Sequence, residues 1–300
     1  MPERPARRTD GVTVHKFGGA SLADARALQN ALSIVEKGDR PAVVVVSAFA
    51  GVTDSLLSLV RDLSAGNDSA VRRTIGDLES RYETAARAVV RRGADRQRLL
   101  RLIDAAFAEL EALTRAPLLL RELPPRAVDR LLATGEELAA QVFAAGLSAR
   151  GVAATYVSAL DLVVTDGKAG QASPILPATD RKVRRILRPC LQKRRVPVVP
   201  GFIGAGPEGR VTTLGRGGSD LTATLLARAL GARAVFLWKD VPGFLTADPR
   251  VVPDARVIPQ LNVREAAELA YYGAKVLHPR ALIPIARRVP IFVRPFDRPA

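Results

Sequence analysis

Cysteine is almost missing from this chain: Cys190 is the only one in 300 residues. That excludes an internal disulfide framework and any cysteine-rich zinc site, and it fits a reducing, cytoplasmic compartment. Histidine is nearly as scarce, with His15 and His278 alone, so a histidine-based metal site has too few ligands. Aromatic residues make up 5%, and no basic run is interleaved with them as a stacking platform for single-stranded nucleic acid requires. The longest apolar run lies near residues 43–50, far short of the ~20 residues of a membrane helix. The first ten residues are basic and proline-containing with no apolar segment behind them. They read as a short disordered tail rather than a signal peptide.

What is present is ordinary for a globular protein, with 48% hydrophobic and 25% charged residues. The length allows one or two domains and a large core without staples. The net charge of +15 comes from 45 Lys and Arg against 30 Asp and Glu; seven of the 45 are lysines, which leaves 38 arginines. A basic domain attracts phosphate backbones, but these arginines are scattered through amphipathic, alanine-rich segments. The densest cluster, residues 181–195, reads as one solvated helix face, and neither nucleic acid nor membrane is expected as a partner.

Short β-branched runs alternate with amphipathic stretches. Residues 12–17 are a strand candidate, and 42–47, almost pure valine, suit a strand buried on both faces of a parallel sheet. Between them Leu22, Ala25, Leu28, Leu32 and Val35 form a helical stripe, so the chain opens with a βαβ unit that Gly38, Asp39 and Pro41 punctuate. From 54 to 150 strand patterns disappear. Helices are predicted over 54–64, 69–92, 95–115 and 126–149, broken by Pro117, Pro124 and Pro125, a helical excursion that suits a lid or an interface. Strands are predicted again at 154–157, 196–203, 211–214, 234–241 and 289–293, with helices over 179–194, 220–230, 263–271 and 280–288. The fold class is α/β, a three-layer αβα sandwich around a mostly parallel central sheet.

Three strand-to-loop junctions can carry chemistry. His15-Lys16-Phe17-Gly18-Gly19-Ala20-Ser21 joins the first strand to the first helix. Its glycines let backbone approach an oxyanion, Ser21 can cap the helix, and Lys16 adds a full charge. Thr212-Thr213-Leu214-Gly215-Arg216-Gly217-Gly218-Ser219-Asp220 joins a later strand to a helix. Three glycines with Arg216 suit an anionic substrate gripped by guanidinium and amides, while Asp220 there would orient a lysine or a metal. Trp238-Lys239-Asp240-Val241-Pro242-Gly243-Phe244, with the following 246–250 segment and the Lys275 turn, could hold a nucleotide. No Walker loop is present. The segment 204–209 matches G-x-G-x-x-G, but a strand pattern follows it where a dinucleotide site needs a helix, so it reads as a hairpin turn. Cys190 reads as a packed thiol and His278, before Pro279, as a helix-entry contact.

Taken together, residues 11–298 resemble the catalytic domain of the aspartate kinases of the amino-acid kinase family. The resemblance lies in Lys16-Phe17-Gly18-Gly19, in Ser47-Ala48-Phe49-Ala50-Gly51-Val52-Thr53-Asp54, in Thr134-Gly135-Glu136, in Gly201-Phe202-Ile203-Gly204, and in the Arg216/Asp220, Asp240–Arg250 and Lys275 loops. It implies transfer of the γ-phosphoryl of ATP, with Mg2+, to the side-chain carboxylate of L-aspartate, the first step toward lysine, threonine and methionine, by a homodimer. By this resemblance Lys16, Gly18, Gly19 and Ser21 bind phosphate, and Lys16 and Asp220 are catalytic. Ser47, Thr53, Glu136, Phe202, Arg216 and Ser219 bind aspartate, with Arg216 on a carboxylate and Glu136 on the ammonium. Lys239, Asp240, Leu245, Arg250 and Lys275 bind nucleotide, and no protein metal ligand is implied. A substrate carboxylate with a pKa near ~3.9 is already ionised, so no general base is needed.

Ala20, Lys239, Pro242 and Leu245 depart from the family pattern. Lys239 stands where threonine is usual and could contact phosphate itself. Longer members continue into small regulatory domains that bind lysine or threonine; none is expected within these 300 residues. The alternatives are a related kinase for glutamate, N-acetylglutamate, carbamate or a nucleoside monophosphate, and a basic binding module on the same fold with weakened catalysis.

Overall fold

A computed structural model describes residues 11–247, 251–271, 276–285 and 289–297. The expected N-terminal tail lies outside them. The opening βαβ unit is β1 (Thr13–Phe17), α1 (Ala25–Lys37) and β2 (Ala42–Val46). Every residue of β2 is buried, as the valine run requires of a strand covered on both faces. The excursion consists of α2 (Val52–Ala65), α3 (Asp68–Val89), α4 (Ala94–Leu120) and α5 (Pro125–Ala149). The chain then returns through β3 (Ala154–Tyr156), α6 (Leu176–Gln192), β4 (Val196–Pro200), β5 (Ile203–Ala205), β6 (Val211–Thr213), α7 (Gly218–Leu230), β7 (Ala234–Lys239), α8 (Val263–Tyr271) and β8 (Ile291–Pro295).

Six strands form one sheet in the order β3-β4-β2-β1-β7-β8, and every pairing is parallel. Period-two alternation divides the core into two clusters. Phe17, Val44, Val46, Val198 and Trp238 pack with α1 to α5 on one face. Val14, Val43, Val45, Val199 and Leu237 pack with α6, α7 and Ala266 of α8 on the other. The three-layer sandwich is therefore present. The excursion shares its core with the sheet, so it is a layer of the domain rather than a separate lid. Parallel strands send their C-terminal ends to one rim, where the loops after β1, β2, β4 and β7 emerge. The chain order reverses between β1 and β7, the place where open α/β sheets bind ligands.

Four expectations differ from the structure. The strand predicted over 196–203 is two strands, because Phe202 takes a left-handed backbone at φ 70° and turns the chain into the antiparallel β5–β6 hairpin. That hairpin contains the 204–209 turn, as expected. Pro117 does not stop α4, which continues to Leu120; it lies in the last turn, where Arg121 N–H donates to its carbonyl. The helix predicted over 280–288 is, among the described residues, a 3-10 turn at Pro279–Ala281. Asp24 rather than Ser21 caps α1, accepting from the Ala27 amide at 2.8 Å. The arginines of α6 face solvent, as the solvated-face reading expects, and no described helix is long and apolar enough to cross a membrane.

Candidate active site

β1 delivers Lys16 to the rim, and its neighbour β7 ends there on Lys239. α7 begins just behind them because Gly217 takes φ 72° and packs against His278, where a Cβ would lie 2.3 Å from the histidine Cβ. This start places Asp220 in the first turn of α7, where a carboxylate also meets the positive end of the helix. Its Oδ1 lies 2.8 Å from Lys16 Nζ and its Oδ2 2.9 Å from Lys239 Nζ. Lys16 and Asp220 are buried, with 6% and 5% of their surface exposed. Burial alone would raise the Asp220 carboxyl, but the charges of both lysines outweigh it and hold the group below the usual carboxylate range. Burial lowers the Lys239 ammonium, and Asp220 restores only part of the shift. The trio sets two cations, buried Lys16 and half-buried Lys239, around one buried anion.

The sequence reading placed Lys239 on the nucleotide side, separate from Lys16 and Asp220. The structure joins the three. Lys16 Nζ also folds over the Gly18 backbone, where a Cβ would come within 3.4 Å. Ser21 is fully buried, and its hydroxyl donates to the Trp238 carbonyl at 3.0 Å. That hydroxyl therefore ties the turn after β1 to β7. His15 points to the opposite face from Lys16. Trp238 Nε1–H donates to its Nδ1 at 3.2 Å, so Nε2 carries the proton toward Thr13 Oγ1. Burial, then Arg40 and Arg233, lower its pKa to about 4, which keeps it neutral and outside the rim chemistry.

The second half of the site surrounds the loop after β2. Glu136 is 4% exposed on α5 and its Oε2 has no hydrogen-bond partner among the described residues. Burial pushes its carboxyl up to about 8, against the pull of an Ala48 backbone hydrogen bond and the Lys16 charge. The preceding Gly135 lets α5 approach this loop, since a Cβ there would lie 2.9 Å from Val52 and 3.3 Å from Ala48. Half-buried Ser47 follows β2, and half-buried Thr53 begins α2. Phe202 covers the start of α7, its ring 2.8 Å from the Cβ that Gly218 lacks, beside buried Ser219. A bulky residue held at positive φ is a strained feature of the kind that clusters at functional sites. Arg216 is exposed on the loop before α7 and makes no ion pair among the described residues.

Asp240 is exposed, and half-buried Leu245 bridges to Val257. Arg250 and Lys275 lie outside the described residues. The sequence reading missed Asp129 and Arg280, which together with Thr213 of the quoted junction brace the Arg216 loop. Asp129 could have been found from its spacing of seven residues, two helical turns, from Glu136.

A model of the amino acid kinase family matches residues 11–295. The chain belongs to the amino acid kinase family. Within it, the chain is 38% identical over 289 residues to lysine-sensitive aspartokinase 3 of Escherichia coli, covering 94% of this chain and 61% of the relative. It is 37% identical to the chloroplastic aspartokinase 1 of Arabidopsis thaliana, covering 95% and 50%. The crystal structure of E. coli aspartokinase III in complex with aspartate and ADP matches with a TM-score of 0.88 at 35% identity, over 96% of this chain and 62% of that one. This amino acid kinase chain thus spans between half and two thirds of these relatives' length. The fold extends to a UMP kinase from Bacillus anthracis, at a TM-score of 0.51 and 15% identity.

Among the described residues no three His, Cys, Asp or Glu side chains gather to hold a metal ion. Both oxygens of Asp220 are already taken by ammonium groups. Among the described residues the donor set does not form a protein-built magnesium site.

Proposed function

We propose that this chain is the catalytic unit of an aspartate kinase, transferring the γ-phosphoryl of ATP to the side-chain carboxylate of L-aspartate to give 4-phospho-L-aspartate and ADP. The observation that carries the proposal is the Lys16–Asp220–Lys239 cluster on the same rim as the buried Glu136 carboxyl, whose Oε2 has no partner among the described residues. The likeness to the aspartokinase crystallised with aspartate and ADP supports it.

A carboxylate oxygen of aspartate attacks the γ-phosphorus, the bond from that phosphorus to the β,γ-bridging oxygen breaks, and the electron pair leaves with ADP. Both reactants are anions, so the barrier is their repulsion, and catalysis is positioning and charge neutralisation. Lys16 and Lys239 supply two cations where little water competes, and there charge acts strongly. Asp220 holds the two ammonium groups side by side before the substrate arrives. The Gly18 and Gly19 backbone allows the phosphate to approach. Glu136 takes the α-ammonium and Arg216 the α-carboxylate, with Ser47, Thr53, Phe202 and Ser219 shaping the pocket. Magnesium enters with ATP as the substrate MgATP, and no protein group is assigned to it.

The test is ADP release across a panel of L-aspartate, L-glutamate, N-acetyl-L-glutamate, carbamate and UMP. L-Aspartate is expected to drive turnover far above the others; a preference for another acceptor would overturn the assignment. Arg216→Ala should raise the KM for L-aspartate roughly 100-fold and leave kcat within a few-fold. A charge-assisted bond of about 2–3 kcal/mol converts to that factor. Lys239→Thr should raise the KM for ATP about tenfold, with Lys239→Arg retaining most of the affinity. An unchanged ATP KM in Lys239→Thr would reduce Lys239 to a brace for Asp220.

A further inference from the structure

We infer that Asp129 is a positioning residue that holds the two amino-acid recognition groups, Glu136 and Arg216, in register. This rests on the reading of those two groups as the ammonium and carboxylate partners of the substrate. Asp129 is 1% exposed on α5. Both of its oxygens lie 3.1 Å from the Gly170 amide, and Oδ1 also accepts the Thr213 hydroxyl at 2.7 Å. No cation pairs with it among the described residues. A buried carboxylate held only by neutral donors is costly to the fold, and its geometry has a specific consequence.

Asp129 and Glu136 are two turns apart on one face of one helix. Thr213 is the last residue of β6, and the chain reaches Arg216 three residues later. The Gly170 segment lies against the same strand end, with the Ala172 amide donating to the Thr213 carbonyl at 2.9 Å. From the other side, Arg280 forks onto the Leu214 carbonyl at 2.7 Å and the Ala172 carbonyl at 3.1 Å. The loop that presents Arg216 is thus clamped between α5 and the turn at Pro279–Ala281. Asp129 is the link to the helix that carries Glu136.

The α-ammonium and α-carboxylate of an amino acid sit on a single carbon. Two groups that recognise them must therefore keep a fixed separation, and an error near 1 Å loses most of the joint benefit. The carboxyl group matters because both of its oxygens accept, the Gly170 amide lying between them and the Thr213 hydroxyl on Oδ1. An asparagine there either opposes its N–H2 group to the Gly170 amide or, flipped, requires the Thr213 hydroxyl to turn round and accept.

The test compares Asp129→Asn, Thr213→Val and Thr213→Ser with the unaltered protein, measuring thermal stability, kcat and both KM values. Asp129→Asn should raise the L-aspartate KM about tenfold or more, with kcat and the ATP KM within threefold. Thr213→Val should shift it in the same direction by less, and Thr213→Ser should restore it. Adding Arg216→Ala on top of Asp129→Asn should cost much less than it does alone, because the pair is already out of register. If Asp129→Asn does not fold, the Thr213 pair decides the question. Unchanged L-aspartate KM values in folded Asp129→Asn and Thr213→Val overturn the inference. So does a parallel loss in kcat and both KM values, the mark of general destabilisation. If the unaltered protein shows no L-aspartate-dependent ADP release, the functional reading fails and this inference falls with it; the variant outcomes remove this inference alone.

Discussion

Replacing Lys16 with methionine is expected to lower kcat by two to three orders of magnitude while the protein stays folded. The expectation follows from the sharing of Asp220. Removing one partner of a buried ion pair ordinarily strands the other charge and costs several kcal/mol. Here Asp220 keeps Lys239 at 2.9 Å, so the carboxylate remains compensated. The methionine fills much of the volume that the buried Lys16 side chain occupies. What is lost is a preorganised cation at the position where, in the proposed reaction, charge moves from the attacking carboxylate to ADP, and one such group is worth about 3–4 kcal/mol. The loss should appear in kcat more than in either KM, whereas Arg216→Ala should do the reverse. Steady-state kinetics of the two variants side by side separate phosphate chemistry from amino-acid capture.

Glu136→Gln is the second large effect, and it acts through pH. Burial raises this carboxyl from 4.5 to about 8, so in the empty protein it is mainly protonated at neutral pH. An ammonium ligand needs it ionised. In the unaltered protein, kcat/KM for L-aspartate should rise close to tenfold per pH unit up to about pH 8 and then level off. Glu136→Gln should remove that rise and lower kcat/KM by about 100-fold at pH 8, since the carboxamide cannot offer a charge. Stability should move the opposite way. A carboxyl whose folded pKa lies above its unfolded value contributes stability that is complete below about 4.5 and is lost as pH rises through about 8. Glu136→Gln should therefore melt a few degrees higher than the unaltered protein at pH 9 and nearly with it at pH 5. A variant that is less stable at pH 9 would show that Oε2 has a partner in solution and is not held open for a ligand.

Much of the fold was legible because periodicity reports burial directly. The valine run of β2 could only be a strand covered on both faces, and the stripe from Leu22 to Val35 could only place a helix against it. What escaped depends on contacts between distant segments. The break after β4 comes from Phe202 at positive φ, a conformation that packing over Gly218 imposes and that no local propensity favours. Ser21 looked like a helix cap, yet its hydroxyl is spent on the Trp238 carbonyl, 217 residues away. Pro117 signals a stop, but in the last turn of α4 its missing amide breaks little.

At the site, Lys16 and Asp220 were visible as charged residues in glycine-rich junctions, and Glu136 only through the family resemblance of Thr134-Gly135-Glu136. Their grouping with Lys239 was not, because it requires knowing that β7 lies beside β1. The partners of Asp129 were hidden for the same reason: both are more than 40 residues away.

The most direct measurement of the central claim is product analysis of the purified chain with MgATP and L-aspartate, following ADP while hydroxylamine traps any acyl phosphate. The unaltered protein is expected to form ADP and aspartyl hydroxamate in equal amounts, and Lys16→Met is expected to lose both together. ADP without hydroxamate, or undiminished hydroxamate from Lys16→Met, would contradict a site in which paired lysines carry a phosphoryl group to the carboxylate of aspartate.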